Sequence, residues 1–175
     1  MPRKIVIIGG VACGPKTASR ARRRDPEAEI TIIERSGFVS YAGCGLPYFI
    51  SGVVPTVDDL MKTGYGIVRD KDYFERTKKV RVLSRHEVLS IDRAGRTVNV
   101  KNLADNTELT VPYDNLVLAT GSVPLRPPFP GIDLKGVITL RRPEEAQALR
   151  GAIEAGEADQ VVIVGAGRIG LEVAE

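Results

Sequence analysis

The sequence predicts an α/β protein: a parallel sheet entered through a βαβ unit, an antiparallel β-meander inserted in it, and the start of a second unit of the first kind. Three observations predict this. Residues 5–8 and 30–33 are β-branched apolar runs joined through glycines and a helical stretch ending near residue 24, the pattern of a βαβ opening. Residues 86–91, 97–100 and 108–111 are short strand patterns separated by turn-rich pieces such as Asp92-Arg93-Ala94-Gly95, as in a meander. A strand-like run over 160–164 then leads again into glycines and a helix start.

The other elements follow in order. Residues 44–50 read as a short helix and the polar stretch 70–79 as another. Residues 80–83 form a strand before the meander, and 116–119 form a buried parallel strand after it, ending in Thr120-Gly121. Four prolines between Ser122 and Gly131 mark an extended connector, because the residue before a proline is pushed out of the helical region. Beyond it a strand is predicted over 136–140 and a helix over 143–155, and the chain ends one turn into the helix that the last glycine loop opens.

With 175 residues the chain can bury one core, or one domain and the beginning of another. Its 43% hydrophobic and 27% charged residues exclude a disordered or fibrous chain. No apolar run approaches the roughly 20 residues that cross a bilayer, and Met1-Pro2-Arg3-Lys4 leads straight into the first strand without a signal-peptide core. A cytoplasmic location with no membrane partner is therefore expected. Cys13, Cys44 and the lone His86 supply neither a disulfide framework nor a zinc set, so no metal is expected. A net charge of +3 does not point to nucleic acid, although Arg20, Arg22, Arg23 and Arg24 are clustered. The plain reading of that cluster is a solvated helix end with cations near its negative pole.

The first glycine loop reads Gly9-Gly10-Val11-Ala12-Cys13-Gly14, directly after a strand and at a helix start, the context of a dinucleotide fingerprint. Free N–H groups and the dipole at a helix N-terminus hold a pyrophosphate. Glu34 closes the second strand, where its carboxylate is placed to accept from ribose hydroxyls. Val11 replaces the middle glycine of the fingerprint, so this loop alone also fits a tight strand-to-helix turn without a ligand. The second loop, Gly165-Ala166-Gly167-Arg168-Ile169-Gly170, matches in full. Two such loops in one chain are far more specific than either alone, with one nucleotide donating hydride and the other accepting it. The residue that separates NADH from NADPH falls roughly 20 residues beyond the loop, past Glu175, so that choice stays open.

Between the loops lies Ser40-Tyr41-Ala42-Gly43-Cys44-Gly45-Leu46-Pro47-Tyr48. A cysteine among small residues at a helix start is where the dipole and free N–H groups favour the thiolate, the reactive form. A lone cysteine is otherwise a small buried hydrophobe. Cys13 reads as a packing residue in the phosphate loop and His86 as a surface or edge residue. Lys16, Arg20, Arg23 and Arg24 are spaced i, i+4, i+7 and i+8 and share one face of the first helix. Such a face is either solvated or serves a ligand's phosphates.

These two loops, the segment 40–48 and Ala119-Thr120-Gly121-Ser122-Val123-Pro124 occur in this order. In combination they resemble the single-cysteine branch of the pyridine nucleotide-disulfide oxidoreductases, which holds coenzyme A-disulfide reductases and NADH oxidases or peroxidases. The resemblance covers essentially all 175 residues. It implies FAD at Gly9, Gly10, Ala12, Gly14, Glu34 and Arg35, with Thr120 and Gly121 close to the flavin nucleotide and the backbone near Val88 touching the adenine. It implies the nicotinamide nucleotide, NADH or NADPH, at Gly165, Gly167 and Gly170. Two-cysteine relatives carry a partner five residues before the position of Cys44, where this chain has Val39. A local disulfide is thereby excluded, and Cys44 is expected to alternate between thiolate and a mixed disulfide, persulfide or sulfenic acid. The peroxidases carry a histidine at the position of Ala12, which weighs against peroxide chemistry. Lys16, Arg20 and Arg23, with Ser40 and Gly43, resemble positions facing coenzyme A in the reductases, although Gly43 stands where asparagine is common.

What the resemblance implies is a Rossmann-like FAD-binding domain over 1–122, incomplete; a connector with a strand and a helix over 123–158; and the truncated start of an NAD(P)-binding domain over 159–175. The implied activity is FAD-dependent NAD(P)H:disulfide oxidoreduction through catalytic Cys44, on coenzyme A disulfide or a related persulfide, in a full-length homodimer. The alternatives are a water-forming NADH oxidase and a non-catalytic FAD-binding fragment, the 175-residue chain alone being expected to be inactive.

Overall fold

The computed structural model describes residues 1–158 and 160–175; residue 159, where the expected nucleotide domain begins, lies outside the described residues. Two compact units divide the chain, one of Met1–Tyr41 and Met61–Gly121, the other of Ala42–Leu60 and Ser122–Glu175.

In the first unit β1 (Lys4–Ile8), β2 (Glu29–Glu34), β3 (Arg81–Ser84) and β7 (Asn115–Leu118) form a wholly parallel sheet in the order β3-β2-β1-β7. Unbroken β-branched runs suit strands covered on both faces, and alternate residues of β1 and β2 enter two different cores. Ile7 and Ile32 join Ala18 of α1 (Cys13–Arg24) and Phe74 of α4 (Lys71–Lys78). Val6 and Ile33 join Val98, Val100 and Val111, which belong to the meander. Helix α1 presents Gly14, Pro15 and Ala18 as its buried residues, small enough for the helix to lie close on the sheet.

The meander is β4 (His86–Asp92), β5 (Thr97–Asn102) and β6 (Glu108–Pro112), antiparallel in the order β4-β5-β6. As expected, it is inserted in chain order between β3 and β7 of the parallel sheet, and it forms a three-stranded sheet of its own. Its Val98, Val100 and Val111 pack on the apolar face made by Val6 and Ile33. A register shift between Val88 and Ser90 puts a bulge next to Val88, and Leu89 is left exposed.

Helix α4 matches the expected polar helix. Asp70 accepts the N–H of Tyr73 at 2.8 Å as its N-cap, and Lys79 ends it in the left-handed conformation. Asp70→Ala is expected to cost about 1 kcal/mol in urea unfolding, the usual size of a lost cap; an unchanged midpoint would show that Phe74 burial alone holds the helix.

The second unit is helical, with α2 (Leu46–Ile50), most of α3 (Val57–Met61), α5 (Pro143–Glu154) and α6 (Arg168–Ala174). Helix α3 adds to the expected elements, and Thr56-Val57-Asp58-Asp59 carries its start signal: the Thr56 hydroxyl accepts the Asp59 N–H at 3.3 Å while Asp59 Oδ2 accepts the Thr56 N–H at 3.0 Å. The strands expected over 136–140 and 160–164 are absent, both segments being without regular structure. Apolar β-branched sequence is not sufficient for a strand, which exists only through a ladder with a partner. Among the described residues the second unit offers no strand to pair with, and Val161, Val162 and Val164 are exposed.

Candidate functional site

The first glycine loop is set by steric necessity. Gly9 has φ +109, a region that L side chains rarely adopt, and an added Cβ would overlap the carbonyl of Ala119. A Cβ at Gly14 would overlap the carbonyl oxygen of Gly9. These two glycines therefore let α1 start directly on the end of β1. The N-cap of α1, Ala12, makes no side-chain cap, so the first amides of a 12-residue helix carry no side-chain acceptor.

Glu34 closes β2 and serves this loop twice. Its Oε2 accepts the Gly10 N–H at 2.6 Å and its Oε1 accepts the Ser36 N–H at 2.8 Å. Carboxylate oxygens each carry a second lone pair, so Glu34 retains acceptor capacity beyond these two contacts. A Cβ at Gly10 would stand 2.8 Å from the Cβ of Glu34, so glycine is required for this approach as well. Next to it, Arg35 donates to Glu87 at 3.1 Å, beside Val88 on β4. The Val88 side chain packs on the second core. Thr120 and Gly121 follow β7 and are exposed, Gly121 at φ +70. Ser40 is buried at 6% exposure with φ +54, and its N–H donates to the Gly10 carbonyl at 2.8 Å. The loop, Glu34 and Ser40 are thus brought together, and Arg35 and Val88 form a neighbouring group.

The basic residues of α1 separate into two kinds. Arg22 is engaged: it donates to the carbonyls of Pro26 at 2.6 Å, Lys79 at 2.5 Å and Lys78 at 3.3 Å, tying the C-terminal ends of α1 and α4 together. Lys16, Arg20, Arg23 and Arg24 are exposed, and among the described residues none of them has a hydrogen bond or ion pair. Lys16, Arg20 and Arg23 line an open depression with Thr17 and Ala21. Four like charges without partners suit a polyanionic ligand. Cys13 corrects the expectation of a packing residue: it is exposed, 3.8 Å from the Thr17 hydroxyl, because the small residues turned to the sheet are Gly14 and Ala18. His86 is half-buried at the start of β4, its Nδ1 2.7 Å from the Ser84 carbonyl.

Gly43 and Cys44 belong to the second unit. The expected helix over 44–50 is a 3₁₀ turn, Gly43–Gly45, running straight into α2 through Leu46 N–H to the Gly43 carbonyl. Cys44 is a free, exposed thiol on that turn. A Cβ at Gly45 would meet the Leu60 side chain at 2.6 Å, so a larger residue there would have to shift Leu60. Leu46, Pro47 and Phe49 are buried, so α2 is anchored while Cys44 faces outward. Tyr48 donates to Glu172 of α6 at 3.0 Å. That hydrogen bond first, and the charge of Glu172 second, push the phenol above its ordinary value. A raised value means that the neutral phenol makes the contact through the ordinary pH range and loses it as pH rises through the folded-state value.

The second glycine loop shares two features with the first, although its helix begins one position earlier in the loop. Gly165 has φ +109, as Gly9 has, and a Cβ at Gly170 would overlap the Gly165 carbonyl oxygen as one at Gly14 would that of Gly9. Gly167 caps α6 in extended conformation. Among the described residues no cluster of His, Cys, Asp and Glu suits a metal ion, and no helix is long and apolar enough to cross a membrane.

Residues 3–175 match the family described as pyridine nucleotide-disulphide oxidoreductase. The coenzyme A disulfide reductase of Staphylococcus haemolyticus is 37% identical over 99% of this chain and 37% of its own. A solved NAD-dependent persulfide reductase from A. fulgidus superimposes with a TM-score of 0.92 at 45% identity, over 98% of this chain and 31% of that one. The water-forming NADH oxidase from Lactobacillus brevis, solved with NADH bound, gives 0.85 at 30% identity over 99% of this chain and 36% of that one. The chain thus spans about a third of the length of the proteins it matches.

Proposed function

Because the chain belongs to the pyridine nucleotide-disulphide oxidoreductase family, we propose that it is the FAD-binding front part of an NAD(P)H-dependent disulfide oxidoreductase whose catalytic residue is Cys44. The observation that supports this reading is the recurrence at Gly165 and Gly170 of the positive φ of Gly9 and the close carbonyl approach of Gly14. Two nucleotide loops suit a donor and an acceptor of hydride.

FAD fits the first loop, because the start of α1, from Ala12 onward, has no side-chain cap, and Gly9 and Gly14 bring that helix start close onto the end of β1. The uncapped amides would hold the pyrophosphate, Glu34 the ribose hydroxyls, and Arg35 with the Val88 backbone the adenosine end. Thr120 and Gly121 would border the flavin nucleotide. Gly165, Gly167 and Gly170 would take NADH or NADPH. Residues 1–122 would then serve FAD, 123–158 connect, and 159–175 open the nicotinamide nucleotide domain. Bound FAD supplies a two-electron relay between the nicotinamide and sulfur.

Cys44, as thiolate, attacks one sulfur of the substrate disulfide. The substrate S–S bond breaks, a bond from Cys44 to one half forms, and the other half leaves as a thiolate that takes a proton from solvent. Two electrons then release the second thiol and restore Cys44. The unpaired Lys16, Arg20 and Arg23 favour a phosphate-bearing substrate, coenzyme A disulfide or a coenzyme A persulfide.

The test uses the protein at the length of its relatives, purified yellow. Anaerobic NADH should bleach the flavin, and coenzyme A disulfide added without oxygen should restore the colour within the mixing time of turnover. Flavin that stays bleached until air is admitted would replace this reading with an oxidase.

A further inference from the structure

We infer that Arg150 is a positioning residue for Cys44, holding the short helix α2 from its C-terminal side so that the 3₁₀ turn bearing the thiol keeps its place. Resting on the reading of Cys44 given above, the inference assigns a role in that reaction to a residue of α5.

A helix of the length of α2, Leu46–Ile50, is far too short to be stable by itself, since isolated helices below roughly 12 residues are marginal. Its orientation must come from outside. Leu46, Pro47 and Phe49 are buried, which fixes one side. The end of α2 is closed locally by Ser51 N–H to the Pro47 carbonyl and Gly52 N–H to the Phe49 carbonyl, and there Arg150 of α5 adds a hold from another helix. Its Nη1 lies 3.1 Å from the Phe49 carbonyl oxygen, 3.0 Å from that of Pro55 and 3.4 Å from that of Val54. The guanidinium carbon sits 4.9 Å from the centre of the Phe49 ring. Its Nε donates to Glu154 at 2.7 Å, one turn on along α5. That carboxylate holds the planar fork so that Nη1 is aimed at the carbonyls.

The loop after α2 closes back on the helix through Val54 N–H to the Tyr48 carbonyl at 2.8 Å, so Arg150 grips both ends of that loop and the helix terminus together. A cation at a helix C-terminus is also favourable electrostatically. At the other end of α2, the Leu46 N–H donates to the Gly43 carbonyl, so the turn carrying Cys44 is hydrogen-bonded into the same helix. Tilting α2 displaces Cys44, and a displacement of about 1 Å of a reacting group costs up to about 10²-fold in rate.

The test compares Arg150→Ala, Arg150→Lys, Glu154→Gln and Cys44→Ser in the flavin-loaded protein at the length of its relatives. With coenzyme A disulfide, Arg150→Ala should lower kcat about tenfold or more with flavin content and the KM for NADH unchanged. Arg150→Lys, a point donor without the fork, should recover only part, and Glu154→Gln should fall between it and the parent. The alkylation rate of Cys44 by iodoacetamide should change in Arg150→Ala at a temperature where the protein remains folded. If Arg150→Ala keeps the parent kcat and alkylation rate and loses only thermal stability, Arg150 is a packing residue and the inference falls. Should Arg150→Ala not fold, unchanged kcat and alkylation in both Arg150→Lys and Glu154→Gln overturn it equally. A Cys44→Ser protein with full disulfide reductase activity would instead bring down the reading on which the inference rests.

Discussion

Cys44→Ser is expected to abolish NAD(P)H-dependent disulfide reduction, with a loss of at least about 10³-fold, while slow consumption of NADH by oxygen persists. The serine hydroxyl is nearly isosteric with the thiol but stays protonated at neutral pH and makes no disulfide, so the covalent step has no substitute. Cys44 is exposed on the surface of its unit and its side chain is not part of a core, so the substitution leaves folding alone. Cys13 gives a built-in control: it is also free and exposed, and Cys13→Ser should retain activity. Disulfide reduction that survives Cys44→Ser, or is lost in Cys13→Ser, would move the redox centre off the 3₁₀ turn. Stopped-flow reduction of coenzyme A disulfide separates the outcomes.

Gly14→Val is expected to cost the first unit its flavin and most of its stability. The added Cβ would overlap the Gly9 carbonyl oxygen and lie 3.4 Å from Ile7 Cγ2, so either α1 lifts from β1 or the loop unwinds. Overpacking against rigid backbone costs roughly 1–3 kcal/mol or more, and lifting α1 also loosens Ala18, which is fully buried in the helix-side core. Glu34→Ala makes an instructive contrast. It removes the acceptor of the Gly10 and Ser36 N–H groups without any overlap, so flavin retention should fall while the urea midpoint moves less than in Gly14→Val. A yellow, fully stable Gly14→Val protein would show that the loop does not need the close approach of α1 and β1.

How much of this was legible beforehand depends on the range of the forces involved. The βαβ opening, the meander and the polar helix after Asp70 were readable because periodicity and capping are properties of neighbouring residues. The two glycine loops were readable for the same reason, and Gly9 and Gly165 adopt the same φ although residues 161–164 form no strand. Helix α3 carries a signal of the same local kind in Thr56–Asp59.

The amino-acid sequence by itself determined the α/β class, the family, the loops and the position of Cys44, since each is written in contiguous residues whose conformation is decided locally. Only the tertiary structure decided which cations are engaged: Arg22 and Arg23 are adjacent in sequence, yet Arg22 meets the carbonyls of Lys78 and Lys79 while Arg23 meets none. Only it decided that 136–140 and 160–164 are not strands, because a ladder needs a partner that no local pattern supplies. The exposure of Cys13, the double duty of Glu34 and the grip of Arg150 on residues 49–55 belong to the same class. Each depends on which groups distant in sequence are brought within hydrogen-bonding distance, and that is fixed by packing of the whole unit.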